Sequence, residues 1–317
     1  MIETAAESVP GGKETDMART NGFRGVFSFS VTPTTDDGDR IDEKRFREFL
    51  DHQIEQGVHG IAVFGSTGSN GSFSEEEKRQ TMKMAVEHVN GRVPLIFGTG
   101  AITTAEAVRQ ATHAQDVGAD GVLVVPITYW PLTENEVYEH YKAIATAIRI
   151  PVTVYNNPWT TGVDIKPPLL ARLTAEFENV RSVKESTGDL TRVTTIRRLT
   201  GGKMTVFAGW ENSTLQSFMA GSEGWFSGMT NIMPRECVKL FELAVEKADA
   251  VGARELFDRI FPLCDFMCQK SHVRVAHTAL ELLGRPMGPP RKPLRMLEAA
   301  DRAELAKLLR DFGALRS

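Results

Sequence analysis

V-Y-N-N-P at residues 154–158 and S-V-K-E-S-T-G at residues 182–188 are two polar segments that each follow a short apolar, β-rich run. Tyr155 and Lys184 lie 29 positions apart in these segments, about the length of one strand–helix–strand crossover. If both runs are neighbouring parallel strands, a phenol and an amine meet at one end of the same sheet. These two segments therefore predict a parallel sheet with a polar site at its carboxyl edge.

The same alternation of strand and helix continues on both sides of these segments. The predicted strands are Val26–Val31, Gly60–Phe64, Pro94–Gly98, Gly121–Val125, Val152–Tyr155, Val180–Lys184, Met204–Ala208 and Gly224–Phe226. Helical runs with polar starts lie between them, such as the capping-box sequence Ser74-Glu75-Glu76-Glu77. Eight such repeats predict an α/β protein with a closed (β/α)8 TIM barrel. A doubly wound sheet is the alternative, and the lack of a dinucleotide glycine fingerprint disfavours it.

The pattern changes after Phe226, where roughly 80 residues carry only helical periodicity. We predict helices over 235–248, 253–269, 273–283 and 302–309. The predicted organisation is a polar N-terminal tail over residues 1–21, a catalytic barrel over 22–232 and a C-terminal helical extension over 233–317.

Composition limits the classes of partner. Of the 317 residues, 41% are hydrophobic and 25% charged, and the formal net charge is −4 without a basic tract, which predicts no nucleic-acid partner. The sequence has no apolar run near the roughly 18 residues that span a membrane and no secretory signal pattern, so we expect a cytoplasmic protein with no membrane partner. Its three cysteines lack ligand-like spacing, which favours buried thiols over a metal site.

Lys184 has the setting of an imine-forming nucleophile. Apolar neighbours favour burial, which disfavours the ammonium form and exposes the amine, and Tyr155 supplies a nearby acid–base group. The small-residue turn G-S-T-G-S-N at 65–70 follows the second predicted strand and groups hydroxyl and backbone N–H donors that can bind a carboxylate, and a tight loop selected for its shape alone is the alternative. We therefore predict a site on the loops that follow the strands, with no metal ion.

The motifs G-I-A-V-F-G-S-T-G, G-T-G-A, Y-N-N-P-x-x-T-G and K-E-S-T-G-D-L, in this order, resemble the dihydrodipicolinate synthase and N-acetylneuraminate lyase family. The resemblance spans roughly Gly22 to Leu309. It implies a class I, Schiff-base-forming lyase that needs no cofactor, because the reaction proceeds through a covalent imine on a lysine.

The family roles transfer to matching positions in this sequence. By resemblance, Lys184 condenses with pyruvate or another 2-oxo acid, Tyr155 shuttles protons, and Ser66 links Tyr155 to bulk solvent. The implied substrate contacts are Thr67 for the carboxylate, the backbone of Phe226, and Gly209 at the entrance.

Three departures concern the second substrate. The lysine-biosynthesis branch has paired tyrosines after strand four, where this chain has Ile127-Thr128 followed by Tyr129, so Thr128 or Tyr129 is expected to complete the relay. That branch also has an arginine after Y-N-x-P, where this chain has Trp159-Thr160 and so lacks a guanidinium fork for a second carboxylate. The strand-two turn reads Ser69-Asn70 where the family often has Glu-Ser. We therefore expect Thr160 to contact the second substrate and that substrate to be an uncharged aldehyde.

The predicted function is an aldolase or dehydratase that acts on a 2-oxo acid through Lys184. A pyruvate–aldehyde condensing synthase, including the 4-hydroxy-tetrahydrodipicolinate synthase reaction, is the alternative, and a non-catalytic 2-oxo acid sensor is an alternative of another class. The resemblance and the aromatic loop Pro126–Leu132 also predict a homotetramer built as a dimer of dimers.

Overall fold

A computed structural model describes residues 23–315, and the polar tail predicted over residues 1–21 lies outside them. Eight strands form one closed barrel in chain order, and every strand is parallel to both neighbours, including β1 with β8. The strands are β1 Gly25–Phe29, β2 Gly60–Val63, β3 Leu95–Gly98, β4 Gly121–Val124, β5 Val152–Asn156, β6 Val180–Glu185, β7 Thr205–Ala208 and β8 Gly224–Ser227. The predicted (β/α)8 barrel is therefore confirmed.

Strands β5 and β6 each extend one residue beyond the predicted end. The extra residues, Asn156 and Glu185, are register partners, and the Asn156 amide donates hydrogen bonds to both carboxylate oxygens of Glu185 over 3.3 and 3.1 Å. This side-chain pairing extends the β5–β6 pairing into segments whose polar residues predict loops.

Helices cover the outside of the barrel. Those that follow the first seven strands are α1 Glu43–Glu55, α2 Glu75–Val89, α3 Thr104–Asp116, α4 Glu134–Ala147, α5 Pro158–Thr161, α6 Pro167–Glu176, α7 Thr191–Leu199 and α8 Thr214–Met219. The capping box predicted at Ser74 is present, with Ser74 and Glu77 each accepting a hydrogen bond from the backbone N–H of the other. Helix α6 has no side-chain cap and begins with two prolines, which are favourable in the first turn of a helix.

Aromatic side chains fill the barrel interior. Phe27, Phe29, Phe207 and Phe226 are buried there, and the Phe207 and Phe226 ring centroids lie 4.4 Å apart. Tyr155 joins this cluster and packs edge-on against Phe29. Because the interior is packed, a substrate can enter only at the rim.

The C-terminal residues form four further α-helices, α9 Pro234–Phe241, α10 Ala250–Lys270, α11 His272–Leu282 and α12 Ala299–Phe312, and a π-helical segment, Glu242–Glu246, directly follows α9. Their apolar faces form a core cluster that also contains Val26, Val31 and Phe49 of the barrel side. The C-terminal helices of the predicted extension are thus present and packed on the barrel, whereas the domain boundary between residues 232 and 233 stays a prediction. Within residues 23–315, no helix is both long enough and apolar enough to cross a membrane.

Candidate functional site

Lys184 and Tyr155 are direct register partners in adjacent strands β6 and β5. Register partners in parallel strands point to the same face of a sheet, so both side chains enter the barrel. The Lys184 Nζ atom lies 4.6 Å from the centroid of the Tyr155 ring and 3.3 Å from that of the Phe29 ring. The fold thus brings the predicted amine and phenol together.

Burial sets the ionisation of the Lys184 amine. The residue is 2% exposed, and removal of the charged form from water lowers its pKa to about 7. The carboxylate of Glu211 acts in the opposite direction, because a nearby negative charge raises the pKa of the amine. A large fraction of Lys184 is therefore neutral and nucleophilic near pH 7.

The Tyr155 phenol has two side-chain donors. The Asn157 amide donates a hydrogen bond to Tyr155 Oη over 2.9 Å, and Ser66 Oγ donates over 3.4 Å. Burial raises the pKa of Tyr155, so the phenol keeps its proton at neutral pH. Because its oxygen accepts both bonds, the phenol can direct its own proton into the site.

Backbone and side-chain bonds hold the turn after β2 across from Lys184. Thr32 Oγ1 donates to the Gly68 carbonyl over 2.8 Å, and the Asn70 amide donates to the Gly100 carbonyl over 2.7 Å. Glycine is required at Gly68, since a Cβ there would lie 2.8 Å from the Ser30 carbonyl oxygen. The turn presents Ser66 and Thr67 to the cavity.

Several predicted residues border one cavity of about 320 Å³ at the rim. They are Lys184, Tyr155, Ser66, Thr67, Thr160 and Gly209. A Cβ on Gly209 would lie 2.0 Å from Ser186 Oγ, so glycine also permits the close packing of β6 and β7. The structure therefore places six of the nine predicted site residues together.

The other three predicted residues lie elsewhere. Phe226 is fully buried in the barrel interior, and Thr128 borders a neighbouring hollow of about 210 Å³ that also reaches Ser66 and Thr160. Tyr129 is 81% exposed and packs edge-on against Trp130, which is 73% exposed. The site roles of Phe226, Thr128 and Tyr129 stay predictions.

Two residues without a predicted role complete the polar surroundings of Lys184. Glu211 follows β7 and is 1% exposed, and it accepts hydrogen bonds from the Gly228 N–H over 2.7 Å and from Ser227 Oγ over 3.2 Å. Burial raises its pKa to about 7. His272 opens α11 and borders the cavity, with Nε2 3.6 Å from Glu211 Oε1. The place of Glu211 at a strand end could have suggested a role, whereas His272 lies in a run with only helical periodicity.

Two tryptophans form an aromatic wall of the cavity. The rings of Trp159 and Trp210 lie 6.3 Å apart at an interplanar angle of 32°, and the Trp159 indole N–H donates to the Thr187 carbonyl over 3.2 Å. Lys184 is the one lysine or arginine among the described residues that border this cavity. Away from Lys184, the cavity surface formed by residues 23–315 thus carries no cationic side chain.

Comparison with known proteins identifies the family. The profile of the dihydrodipicolinate synthetase family matches residues 22–312. A 4-hydroxy-tetrahydrodipicolinate synthase from Rhizobium meliloti is 35% identical over 293 residues, which cover 92% of this chain and 99% of the relative.

Two solved structures agree closely with this fold. Dihydrodipicolinate synthase from Aquifex aeolicus superposes with a TM-score of 0.89 at 31% identity, covering 93% of this chain and 100% of that one. The chloride-inhibited dihydrodipicolinate synthase from Acinetobacter baumannii, complexed with pyruvate, superposes with a TM-score of 0.87 at 33% identity, covering 92% and 99%. The chain therefore belongs to the dihydrodipicolinate synthetase family and is a class I, Schiff-base-forming lyase of that family.

Proposed function

We propose that Lys184 forms an imine with pyruvate or another 2-oxo acid and that Tyr155 moves the protons of the reaction. The observation that carries this proposal is the register pairing of a buried, low-pKa lysine with a buried tyrosine at the rim cavity. The relative from A. baumannii, which is described as complexed with pyruvate, supports this choice of substrate.

The proposed chemistry uses groups that the chain itself supplies. The neutral amine of Lys184 attacks C2 of the 2-oxo acid, and loss of water from the carbinolamine gives an iminium ion. Removal of a proton from C3 gives an enamine, which attacks the carbonyl carbon of an aldehyde and forms the new carbon–carbon bond. Hydrolysis then frees the product and restores Lys184, and the reverse order cleaves a 4-hydroxy-2-oxo acid.

Tyr155, Ser66 and Thr67 have distinct proposed roles. Tyr155 donates and accepts protons at the carbinolamine, because its oxygen is held by Asn157 and Ser66 and its proton is retained at neutral pH. Ser66 connects Tyr155 to the neighbouring hollow, where Thr128 lies. Thr67 and the backbone N–H groups of its turn bind the carboxylate of the 2-oxo acid.

The reaction direction has two candidates within this chemistry. The described residues of the cavity add no second cation and so favour an uncharged distal group, which counts against the second carboxylate of the 4-hydroxy-tetrahydrodipicolinate synthase reaction and supports an aldolase or dehydratase. The condensing alternative is favoured by relatives named 4-hydroxy-tetrahydrodipicolinate synthase. A non-catalytic sensor is disfavoured, since binding alone requires neither a low-pKa amine nor a paired phenol.

The proposed working form is a cytoplasmic homotetramer without a separate cofactor, nucleic-acid partner or membrane partner. The exposed pair Tyr129 and Trp130 supports a subunit contact, because adjacent exposed aromatic side chains are enriched at protein interfaces. In this assembly the loop after β4 lies near a neighbouring subunit's site, where Thr128 or Tyr129 completes the proton relay.

The nucleophile can be identified by trapping. Incubation with pyruvate and borohydride should attach one reduced pyruvyl group per chain, and peptide mass spectrometry should place it on Lys184. Lys184→Ala should abolish the adduct, whereas the matched control Lys142→Ala, which changes an exposed lysine paired with Glu139, should retain it. An adduct on another lysine would contradict the proposal.

A further inference from the structure

His272 and Tyr155 border different sides of the same cavity. Its neighbours Glu211 and Gly228 follow β7 and β8, whereas Tyr155 lies one residue before the end of β5 and Ser66 follows β2. The imidazole lies 6.1 Å from the Trp210 ring and is about one quarter exposed, with its open part on the cavity. The site therefore has a second hydrogen-bonding group, separate from the pair of Tyr155 and Ser66.

The backbone before His272 adopts an unusual conformation. Helix α10 ends at Lys270 and α11 begins at His272, and the linking Ser271 has φ +116° and ψ +117°. L-residues other than glycine rarely adopt this region, so surrounding contacts must hold the turn. Ser271 itself borders the cavity, which places the strained link in the site.

Close packing fixes the His272 ring against Glu211. An added Cβ on Gly228 would lie 3.1 Å from His272 Cδ2, 3.1 Å from Glu211 Oε1 and 3.2 Å from Met267 Sδ. A side chain at this position would press on all three groups, so the glycine lets them meet without displacement. Because Glu211 is itself held by Gly228 and Ser227, it positions the imidazole and does not have to touch the substrate.

The electrostatic setting keeps the imidazole neutral. Partial burial, together with the charge of Lys184, lowers the pKa of His272 below its ordinary value. A neutral imidazole has one ring nitrogen that donates a hydrogen bond and one that accepts, so the His272 ring can pair with a hydroxyl group in either tautomer. A neutral acceptor can bind a hydroxyl group and cannot replace the arginine that would bind a carboxylate.

We propose that His272, positioned by Glu211, hydrogen-bonds a hydroxyl group on the distal part of the substrate and thereby selects an uncharged, hydroxyl-bearing aldehyde or the matching 2-oxo acid. This inference rests on the proposed imine chemistry at Lys184. The wall of Trp159 and Trp210 packs against the carbon chain of the same partner.

The test compares glyceraldehyde with propionaldehyde, which have the same number of carbons and differ in hydroxyl groups. With pyruvate as the common substrate, the wild-type ratio of kcat/KM for glyceraldehyde over propionaldehyde should exceed one. His272→Phe, which keeps a ring and loses the acceptor, should lower this ratio about tenfold, the effect of one good hydrogen bond. His272→Asn, which keeps an acceptor, should lower it less. The matched control Lys270→Ala, in the same turn but ion-paired with Asp301, should keep the wild-type ratio.

Adduct formation with pyruvate is measured in parallel on every protein. A wild-type protein that forms no adduct would refute the proposed function and this inference with it. A wild-type protein that forms the adduct, but whose aldehyde ratio is one or is unaltered by His272→Phe, would overturn only the role of His272.

Discussion

Imine formation on Lys184 should depend on pH with a midpoint near 7, because burial lowers the pKa of this amine to about 7. An ordinary lysine, with a pKa of about 10.4, is neutral in only about one molecule in 2,500 at pH 7. A lysine with a pKa of about 7 is neutral in about half. Burial therefore increases the reactive fraction at neutral pH about a thousandfold.

The assay measures the initial rate of adduct formation at low pyruvate concentration between pH 5.5 and 9, with cyanoborohydride as the trap and mass spectrometry as the readout. The rate should fall about tenfold per pH unit well below 7 and level off above 8. Tyr155 should not titrate in this range, because burial raises the pKa of the phenol above its ordinary value of about 10. A lysine-containing peptide, treated identically, should show a rate that still rises at pH 9.

Glu211→Gln tests whether the Glu211 carboxylate raises the pKa of Lys184. The Glu211 carboxylate raises the pKa of Lys184, so its removal should lower that pKa and move the midpoint to lower pH. At pH 7, where part of Glu211 is ionised in the wild type, the variant should then form the adduct faster than the wild type. The reasoning on burial is refuted if the wild-type rate keeps rising through pH 9 as it does in the peptide.

Two further predictions concern the second substrate and the assembly. Turnover of pyruvate with aspartate semialdehyde should be at least about 30-fold less efficient than with an uncharged aldehyde, because Thr160 supplies no cation for the second carboxylate. Thr160→Arg should reduce the difference in kcat/KM between aspartate semialdehyde and the uncharged aldehyde. Comparable kcat/KM values for the two aldehydes in the wild type would show that another cation binds the second carboxylate. Trp130→Ala should weaken both subunit association and activity, measured by sedimentation at micromolar concentration and by turnover, because it removes an aromatic group that is 73% exposed in the single chain. The matched control Met219→Ala, which changes an exposed apolar residue outside that loop, should affect neither, and a fully active monomer would contradict a role for the loop in completing the site.

Local signals in the sequence are sufficient to predict the barrel and the chemical pair at its centre. Short apolar runs, capped helices and the length of one crossover between Tyr155 and Lys184 all act over a few tens of residues, so they can be read along the chain. Signals of this kind miss structure that depends on non-local pairing. For example, Glu185 is a polar residue after an apolar run, which predicts a loop. In the structure it belongs to β6, where the Asn156 side chain on the neighbouring strand binds it.

Only the tertiary structure shows how the remainder of the site is built. Glu211 and His272 are 61 positions apart, and no pattern joins a residue after β7 to the first turn of a C-terminal helix. They meet because α11 packs on the barrel and because Gly228 leaves room for both. The sequence determines that an amine and a phenol share one end of a closed barrel. The tertiary structure decides their ionisation and their neighbours, because burial and contact distance depend on residues that are far apart in the chain.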